Sequence, residues 1–291
     1  MRVAVVGFGN VGRALARLLI TTSMRPSAAL PHPARPLTVT AIGTARHGAV
    51  VAPEGIDLAT ILAGTDLPLR ALPPIRDLPA DVLVEITTLE PRTGEPALSY
   101  IRDALRADMH VVTANKGPIA RAYRELAALA REHGRLLRFE ATVADCLPVF
   151  TLWRAALPLA RIDAIRGIVS STCNYVLTQC GGGAELADAL REAQRLGLAE
   201  ADPRNDLEGH DAAAKATILA NVLMDADIRP EDVERHAIDE NAADAARAAA
   251  AVGARVRPIV DIERRGERII ASFRARRLEP LDPLYAVDGV S

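Results

Sequence analysis

Lysine is almost absent from this chain of 291 residues, although it carries 35 lysines and arginines together: only Lys116 and Lys215 are lysines. Cysteine is scarce as well. The three cysteines, Cys146, Cys173 and Cys180, are too few and too irregularly spaced for a disulfide framework, and they match no metal-binding pattern. We therefore expect a protein of the reducing cytoplasm without a cysteine-bound metal.

Strong net charge and long apolar runs are also missing. The formal net charge is −2 and the pI about 6.3, which gives no basic footprint for nucleic acid. The first apolar run is interrupted by glycine and asparagine, so neither a signal peptide nor a membrane span is predicted. The length allows two domains, each with its own core.

The two lysines suggest acid–base chemistry. Arginine cannot release its proton near neutrality, whereas an ammonium in a partly desolvated pocket can. Lys116 follows a β-branched strand at 110–114 and lies in an Asn-Lys-Gly-Pro turn. Ligands of open parallel sheets bind at the carboxyl ends of the strands, where this turn is predicted. The alternative is that two lysine codons persisted by chance.

Lys215 is preceded by Asp211 at the i,i+4 spacing of a helix predicted to run to about Met224. If exposed, such a pair would contribute only about 0.3–0.5 kcal/mol. The apolar Ile218 and Leu219 on the same helix favour partial burial of the lysine instead. The pair is therefore a candidate for catalysis.

A G-x-G-x-x-G stretch at 7–12 follows a strand at 2–6 and opens a helix. Gly7 permits a tight turn, Gly9 lets the backbone approach a pyrophosphate, and Gly12 allows the helix to pack closely on the strand. This pattern predicts dinucleotide binding.

The second strand, at 37–42, ends at Gly43, where a carboxylate normally binds the adenosine ribose. With no acid there and Arg46 nearby, NADP is favoured over NAD; the alternative is that Arg46 only faces solvent. A strand at 81–86 ends in threonines at the same edge. The predicted cofactor contacts are Gly7, Gly9, Asn10, Val11, Gly12, Arg46, Thr87, Thr88, Asn115 and Lys116.

The fold class expected is α/β: an N-terminal Rossmann-type doubly wound parallel sheet at 1–135, then an α+β substrate-binding and dimerisation domain at 136–291. The first domain has predicted helices near 11–20, 96–107 and 118–132, and a proline-rich surface loop at 25–36. Strands at 136–143, 162–169 and 259–263 and an alanine-rich helix at 242–252 are predicted for the second domain.

Long motifs in this chain resemble homoserine dehydrogenases. Beyond the glycine stretch they are Val-Thr-Ala-Asn-Lys-Gly-Pro at 112–118, Phe-Glu-Ala-Thr-Val at 139–143, and the segments 167–177 and 192–215, in the family's order and at similar spacing. The resemblance covers nearly the whole chain. It implies NAD(P)-linked interconversion of L-homoserine and L-aspartate 4-semialdehyde, on the way to threonine and methionine.

The resemblance also implies residue roles. Lys116 and Lys215 would serve proton transfer and the substrate hydroxyl, with Asp211 orienting the site around Lys215. Glu200 and Asp206 would bind the ammonium group of the small amino-acid substrate.

Three further residues have implied roles. Thr172 would lie beside the substrate. Glu140, with main-chain carbonyls near Val143, would correspond to a site for a monovalent cation such as Na⁺. By the same analogy, and because of its apolar strands and helices, the second domain is expected to form a homodimer.

The chain departs from the family pattern at several positions. Segments 144–148 and 170–173 carry other residues where the family usually has glycines, and Asp145 adds a charge to a substrate loop. Leu198 stands where the family often has tyrosine. We expect neither the family's usual glycine-rich continuation after Ser291 nor the ACT domain of some relatives. Two alternatives therefore stay open: an enzyme acting on a related amino-alcohol or amino-aldehyde, or a catalytically weak binding protein of the same fold.

Overall fold

Six strands form the sheet of the first unit, Met1–Leu147, in the order β3-β2-β1-β4-β5-β6. The computed structural model describes residues 1–24, 37–64 and 71–289; the loop predicted at 25–36 lies outside them. All neighbouring strands are parallel except β2 and β3. The strands are β1 Arg2–Val6, β2 Thr38–Gly43, β3 Ala49–Val51, β4 Val82–Glu85, β5 His110–Thr113 and β6 Leu137–Arg138.

The strand order reverses direction at β1, which has β2 on one side and β4 on the other. This is the switch point at which doubly wound sheets bind dinucleotides, so the predicted fold class of this half is confirmed. Strands β1, β2 and β4 are largely apolar and buried, as expected where both faces of a parallel sheet are covered. The helices are α1 Asn10–Met24, α2 Leu58–Leu62, α3 Ala97–Arg106 and α4 Lys116–Glu132.

The strand predicted at 136–143 was assigned to the wrong sheet. Only Leu137–Arg138 is extended, and it pairs in parallel with β5 as the edge strand of the first sheet. A 3₁₀ turn, Glu140–Thr142, follows immediately. An apolar run predicts an extended segment without specifying its partner. The two compact units divide after Leu147.

The second unit, Pro148–Ser291, contains a four-stranded sheet in the order β7-β9-β10-β8. A tight hairpin joins β9 to β10, which pair along their whole length. The strands are β7 Ala164–Gly167, β8 Glu234–Arg235, β9 Arg255–Arg265 and β10 Arg268–Leu278, and the helices are α5 Val149–Ala156, α6 Ser171–Gly181, α7 Leu186–Arg195, α8 Arg204–Leu207, α9 His210–Leu223 and α10 Glu240–Ala250. The α+β prediction is confirmed, including the alanine-rich helix α10.

The residue before α9 is a glycine, Gly209, at a position where a side chain would be strained. Gly209 has a φ of +75°, in the left-handed region. A Cβ atom there would lie 2.5 Å from Cδ1 of Phe273 on β10. The close approach fixes the first turn of α9 against the sheet, and this turn carries Asp211.

Candidate active site

The turn between β1 and α1 has the geometry predicted from its glycines. Gly7 has a φ of +103°, and a Cβ there would lie 2.3 Å from the carbonyl oxygen of Ile86. A Cβ at Gly12 would lie 2.6 Å from the carbonyl oxygen of Gly7, so this glycine allows helix and strand to touch. At Gly9 a Cβ would meet no protein atom within 4 Å. Packing therefore requires Gly7 and Gly12, whereas Gly9 leaves the backbone open to a ligand.

A cavity of about 570 Å³ lies beside the carboxyl ends of β1, β2 and β4, and its lining includes Arg46, Thr87, Thr88 and Tyr100. Arg46 is exposed on the turn that joins β2 to β3. Gly43 ends β2, and a Cβ there would lie 2.5 Å from Cδ1 of Leu72. An acidic residue at position 43 would therefore have to displace Leu72. The structure places three predicted cofactor residues around one cavity.

A buried carboxylate, Glu85, connects several of the predicted cofactor residues, and the sequence analysis missed it. Its side chain is 0% exposed. Oε1 accepts hydrogen bonds from the backbone N–H and the hydroxyl of Thr87 at 2.8 and 2.6 Å, and Oε2 accepts one from the Thr113 hydroxyl at 2.7 Å. The available signal was a single charged residue at the end of the otherwise apolar strand β4.

The same network positions the turn that carries Lys116. The Thr113 hydroxyl accepts a hydrogen bond from the backbone N–H of Asn115 at 2.9 Å. Asn115 in turn caps α4, since its Oδ1 accepts the N–H of Gly117 at 3.1 Å. Lys116 is the first residue of α4 and lies at the carboxyl edge of the sheet, as its motif predicted.

In the second unit, Lys215 is held between two acceptors. Its Nζ lies 2.9 Å from Oδ2 of Asp211 and donates to the carbonyl oxygen of Val169 at 2.6 Å. The side chains of Lys215 and Asp211 are 16% and 9% exposed, so the pair is enclosed and not a solvated helix pair. Among the described residues, these acceptors engage two of the three N–H donors of the ammonium.

An excess of negative charge surrounds this lysine. Burial raises the pKa of Asp206, and the negative charges of Asp211 and Glu200 raise it further, whereas the hydrogen bond from Thr172 and the charge of Lys215 oppose this rise. The hydroxyl of Thr172 donates to the carbonyl oxygen of Leu198 at 2.7 Å and also lies near Asp206. The five residues predicted from the segments 167–177 and 192–215 therefore gather in one place.

Two neighbouring residues have structural explanations. Asp202 accepts hydrogen bonds from its neighbour Arg204, which lower the pKa of this exposed carboxyl to about 2, so it acts as a turn residue. Cys173 is buried, and desolvation raises the pKa of its thiol to about 12. Such a thiol is not a nucleophile at neutral pH.

The two altered loops differ in backbone strain. Ser170 caps α6 by accepting the N–H of Cys173 at 3.3 Å, so serine suits that position. Asp145, by contrast, is exposed and has a φ of +48°, in the left-handed region that glycine occupies freely. The backbone at 145 has thus kept a conformation that favours glycine.

The predicted cation residues lie at the two ends of one 3₁₀ turn, Glu140–Thr142. Glu140 begins this turn and is partly exposed, and Val143 follows it and is buried. One carboxylate with main-chain carbonyls is an oxygen donor set that suits a hard cation. In the described part of the chain, no group of three or more His, Cys, Asp or Glu residues could hold a metal ion. No helix there could span a bilayer.

Known proteins resemble both units. The model of the family "Homoserine dehydrogenase, NAD binding domain" matches residues 7–140, and that of "Homoserine dehydrogenase" matches 148–291. An NAD⁺-dependent homoserine dehydrogenase of Pseudomonas canavaninivorans is 36% identical, over 100% of this chain and 85% of the relative.

Solved structures agree with these matches. The homoserine dehydrogenase of Thermoplasma acidophilum has a TM-score of 0.81 at 29% identity, over 99% of this chain and 86% of that one. A hyperthermophilic archaeal homoserine dehydrogenase mutant in complex with NADPH has a TM-score of 0.78 at 28% identity, over 99% and 85%. The chain therefore belongs to the homoserine dehydrogenase family, oxidoreductases that act on a CH–OH group with NAD(P).

Proposed function

We propose that this chain interconverts L-homoserine and L-aspartate 4-semialdehyde with Lys215 as the acid–base group at the reacting oxygen. The enclosed ion pair of Lys215 with Asp211 carries the proposal. Oxidation of an alcohol needs a base for the hydroxyl proton, and reduction of the aldehyde needs an acid for the carbonyl oxygen. Asp211 and the Val169 carbonyl hold Nζ in place, which leaves its third N–H to orient the substrate oxygen.

The substrate ammonium supplies the positive charge that the site lacks. Asp206, Asp211 and Glu200 together oppose one lysine. We assign Glu200 and Asp206 to the ammonium, because Asp211 already pairs with Lys215. Thr172 would then contact the substrate beside Asp206.

The first unit would hold the cofactor, whose nicotinamide ring accepts or donates the hydride. We assign the pyrophosphate to the glycine turn 7–12 and the adenosine end to the cavity that Arg46 lines. NADP is favoured, because Arg46 can pair with a 2′-phosphate and Gly43 leaves no acid to repel it. Lys116 is proposed as a second proton-transfer residue.

A related amino-alcohol is a second candidate substrate, and Asp145 is the observation that favours it. This residue places an exposed carboxylate in a loop where the family usually has glycines. A carboxylate near the substrate would repel the carboxylate of homoserine and favour a substrate without one.

Four further properties complete the proposal. The enzyme would serve threonine and methionine formation in the cytoplasm, where its free cysteines stay reduced. It would bind a monovalent cation at Glu140 and Val143.

A homodimer would form through the second unit, where Leu152, Leu157 and Leu159 are exposed along and just after α5.

The test is a spectrophotometric assay of cofactor reduction with homoserine and several amino-alcohol analogues, each with NADP and with NAD. The proposal expects homoserine oxidation above that of every analogue, and the reverse reaction with the semialdehyde. Faster turnover of an analogue that lacks the carboxylate would favour the second candidate. No turnover of any of them by folded protein would overturn both.

A further inference from the structure

Glu85 ends β4 on the side of β1 opposite to β2. In doubly wound sheets the two halves of a dinucleotide lie on the two sides of the switch point. Gly43 ends β2 and Arg46 lies on the turn that follows, so the end of β2 marks the adenosine side and the nicotinamide half faces the ends of β4 and β5. The buried carboxylate of Glu85 lies at this second edge.

Every contact of this carboxylate is with a neutral donor. It accepts hydrogen bonds from Thr87 and Thr113 only, and within the described residues no cation pairs with it. The Thr113 hydroxyl accepts the N–H of Asn115 and directs its own proton to Oε2. Such a chain of donors stabilises a negative charge at 0% exposure without neutralising it.

An unneutralised charge in a dry region acts on nearby ligands more strongly than a solvated one. The two redox forms of a nicotinamide differ by one positive charge, because the oxidised ring is cationic and the reduced ring is neutral. A fixed negative charge at the ends of β4 and β5 therefore attracts the cationic oxidised ring but not the neutral reduced ring.

We propose that Glu85 is a positioning residue that sets the preference of this enzyme for oxidised over reduced cofactor. It acts in two ways at once: it holds Thr87 and the Asn115–Lys116 turn in place, and its charge stabilises the oxidised ring. The inference rests on the proposed function, since it requires a nicotinamide cofactor at this edge.

Titration of both redox forms against the full-length protein tests it, by calorimetry for the oxidised form and by fluorescence for the reduced form. In Glu85→Gln, which keeps the shape but removes the charge, the affinity ratio of oxidised to reduced cofactor should fall about three- to tenfold. Thr113→Val is the matched control: it removes one donor and keeps the charge, so it should weaken both forms together. An unchanged ratio in Glu85→Gln overturns the proposal.

A measurement on the wild type covers the case in which Glu85→Gln fails to fold. Infrared difference spectra with ¹³C-labelled glutamate should show an ionised buried carboxylate that is perturbed when oxidised cofactor binds. The band of a protonated buried carboxyl would overturn the proposal. If wild type binds both cofactor forms but the ratio does not change, only this inference fails; if it binds neither, the proposed function fails with it.

Discussion

The ammonium of Lys215 lies 2.9 Å from Oδ2 of Asp211, one helical turn earlier on α9, and both side chains are largely enclosed. Enclosed pairs differ from surface pairs, because loss of one partner leaves the other charge uncompensated. The backbone sets this geometry. Gly209 presses the first turn of α9 against Phe273, and the carbonyl of Val169 receives the same ammonium.

The carboxylate of Asp206 should destabilise the folded protein at neutral pH, although the proposed function assigns it to binding of the substrate ammonium. Its pKa is raised in the folded state, chiefly by burial, so the folded protein binds this proton more tightly than the unfolded chain does. The cost of the ionised carboxylate is therefore present at neutral pH and is relieved as the pH falls through the raised pKa. Asp206→Asn should raise the midpoint of urea unfolding without substrate and increase KM for homoserine.

The pH dependence of KM checks the same residue. In the proposed role, protonation of Asp206 removes a charge that binds the substrate ammonium. KM should therefore rise as the pH falls through the raised pKa, and this rise should disappear in Asp206→Asn. Asp202→Asn is the control, because its carboxyl is exposed and pairs with Arg204. A urea midpoint for Asp206→Asn below that of the wild type would contradict the destabilising effect assigned to this carboxylate.

Arg46 should determine the choice between NADP and NAD. It lines the cavity at the end of β2, where Gly43 carries no acid. Arg46→Ala should weaken NADP binding by roughly tenfold, the loss of about one charge-assisted hydrogen bond, and should leave NAD binding nearly unchanged. Arg76→Ala, an exposed arginine of the same unit, is the control for net charge. Tighter binding of NAD than of NADP by the wild type would refute the assignment.

Replacement of Asp145 should have two independent effects, one on the stability of the protein and one on the turnover of homoserine. Because its φ is +48°, Asp145→Gly should relieve strain and stabilise the protein by about 1 kcal/mol, measured by urea unfolding. If its carboxylate reaches the substrate, the same variant should also turn over homoserine faster. Asp145→Asn separates the two, since it removes the charge but retains a side chain. Unchanged turnover in both variants would mean that the charge plays no part in catalysis.

The dimer proposal predicts that the segment after α5 is buried between copies. Leu159 is 98% exposed in the chain by itself. Leu159→Asp should shift sedimentation at micromolar concentration from dimer to monomer. Leu281 is equally exposed but lies outside the proposed interface at α5, so Leu281→Asp should leave the dimer intact. A wild-type protein that sediments as a monomer would rule out the proposal.

The motifs predicted the fold class correctly, and the residues predicted to bind the substrate lie together in the second unit, because both depend on local chemistry. The strand–glycine–helix pattern at 2–24 and the i,i+4 pair of Asp211 and Lys215 each depend on neighbours in sequence. Glu85 was missed for the opposite reason. Its partners Thr87 and Thr113 include a residue 28 positions away, which only the pairing of β4 with β5 brings near.

The segment 136–143 shows a second limit. Its apolar residues predicted an extended segment, but the strand β6 could pair with either sheet as far as the pattern shows. The local sequence does not predict the division after Leu147, and it does not predict the left-handed φ of Asp145.

The central claim is that Lys215 transfers a proton rather than only supplying charge, and Lys215→Arg tests it most directly. Steady-state turnover of homoserine and cofactor affinity are measured for both proteins, with Arg204→Lys as an exposed control for the exchange. Because guanidinium keeps its proton, turnover should fall about a hundred- to ten-thousand-fold while cofactor affinity changes little. A Lys215→Arg variant that retained more than about a tenth of wild-type turnover would contradict the account, since losses of general acid–base catalysis are far larger.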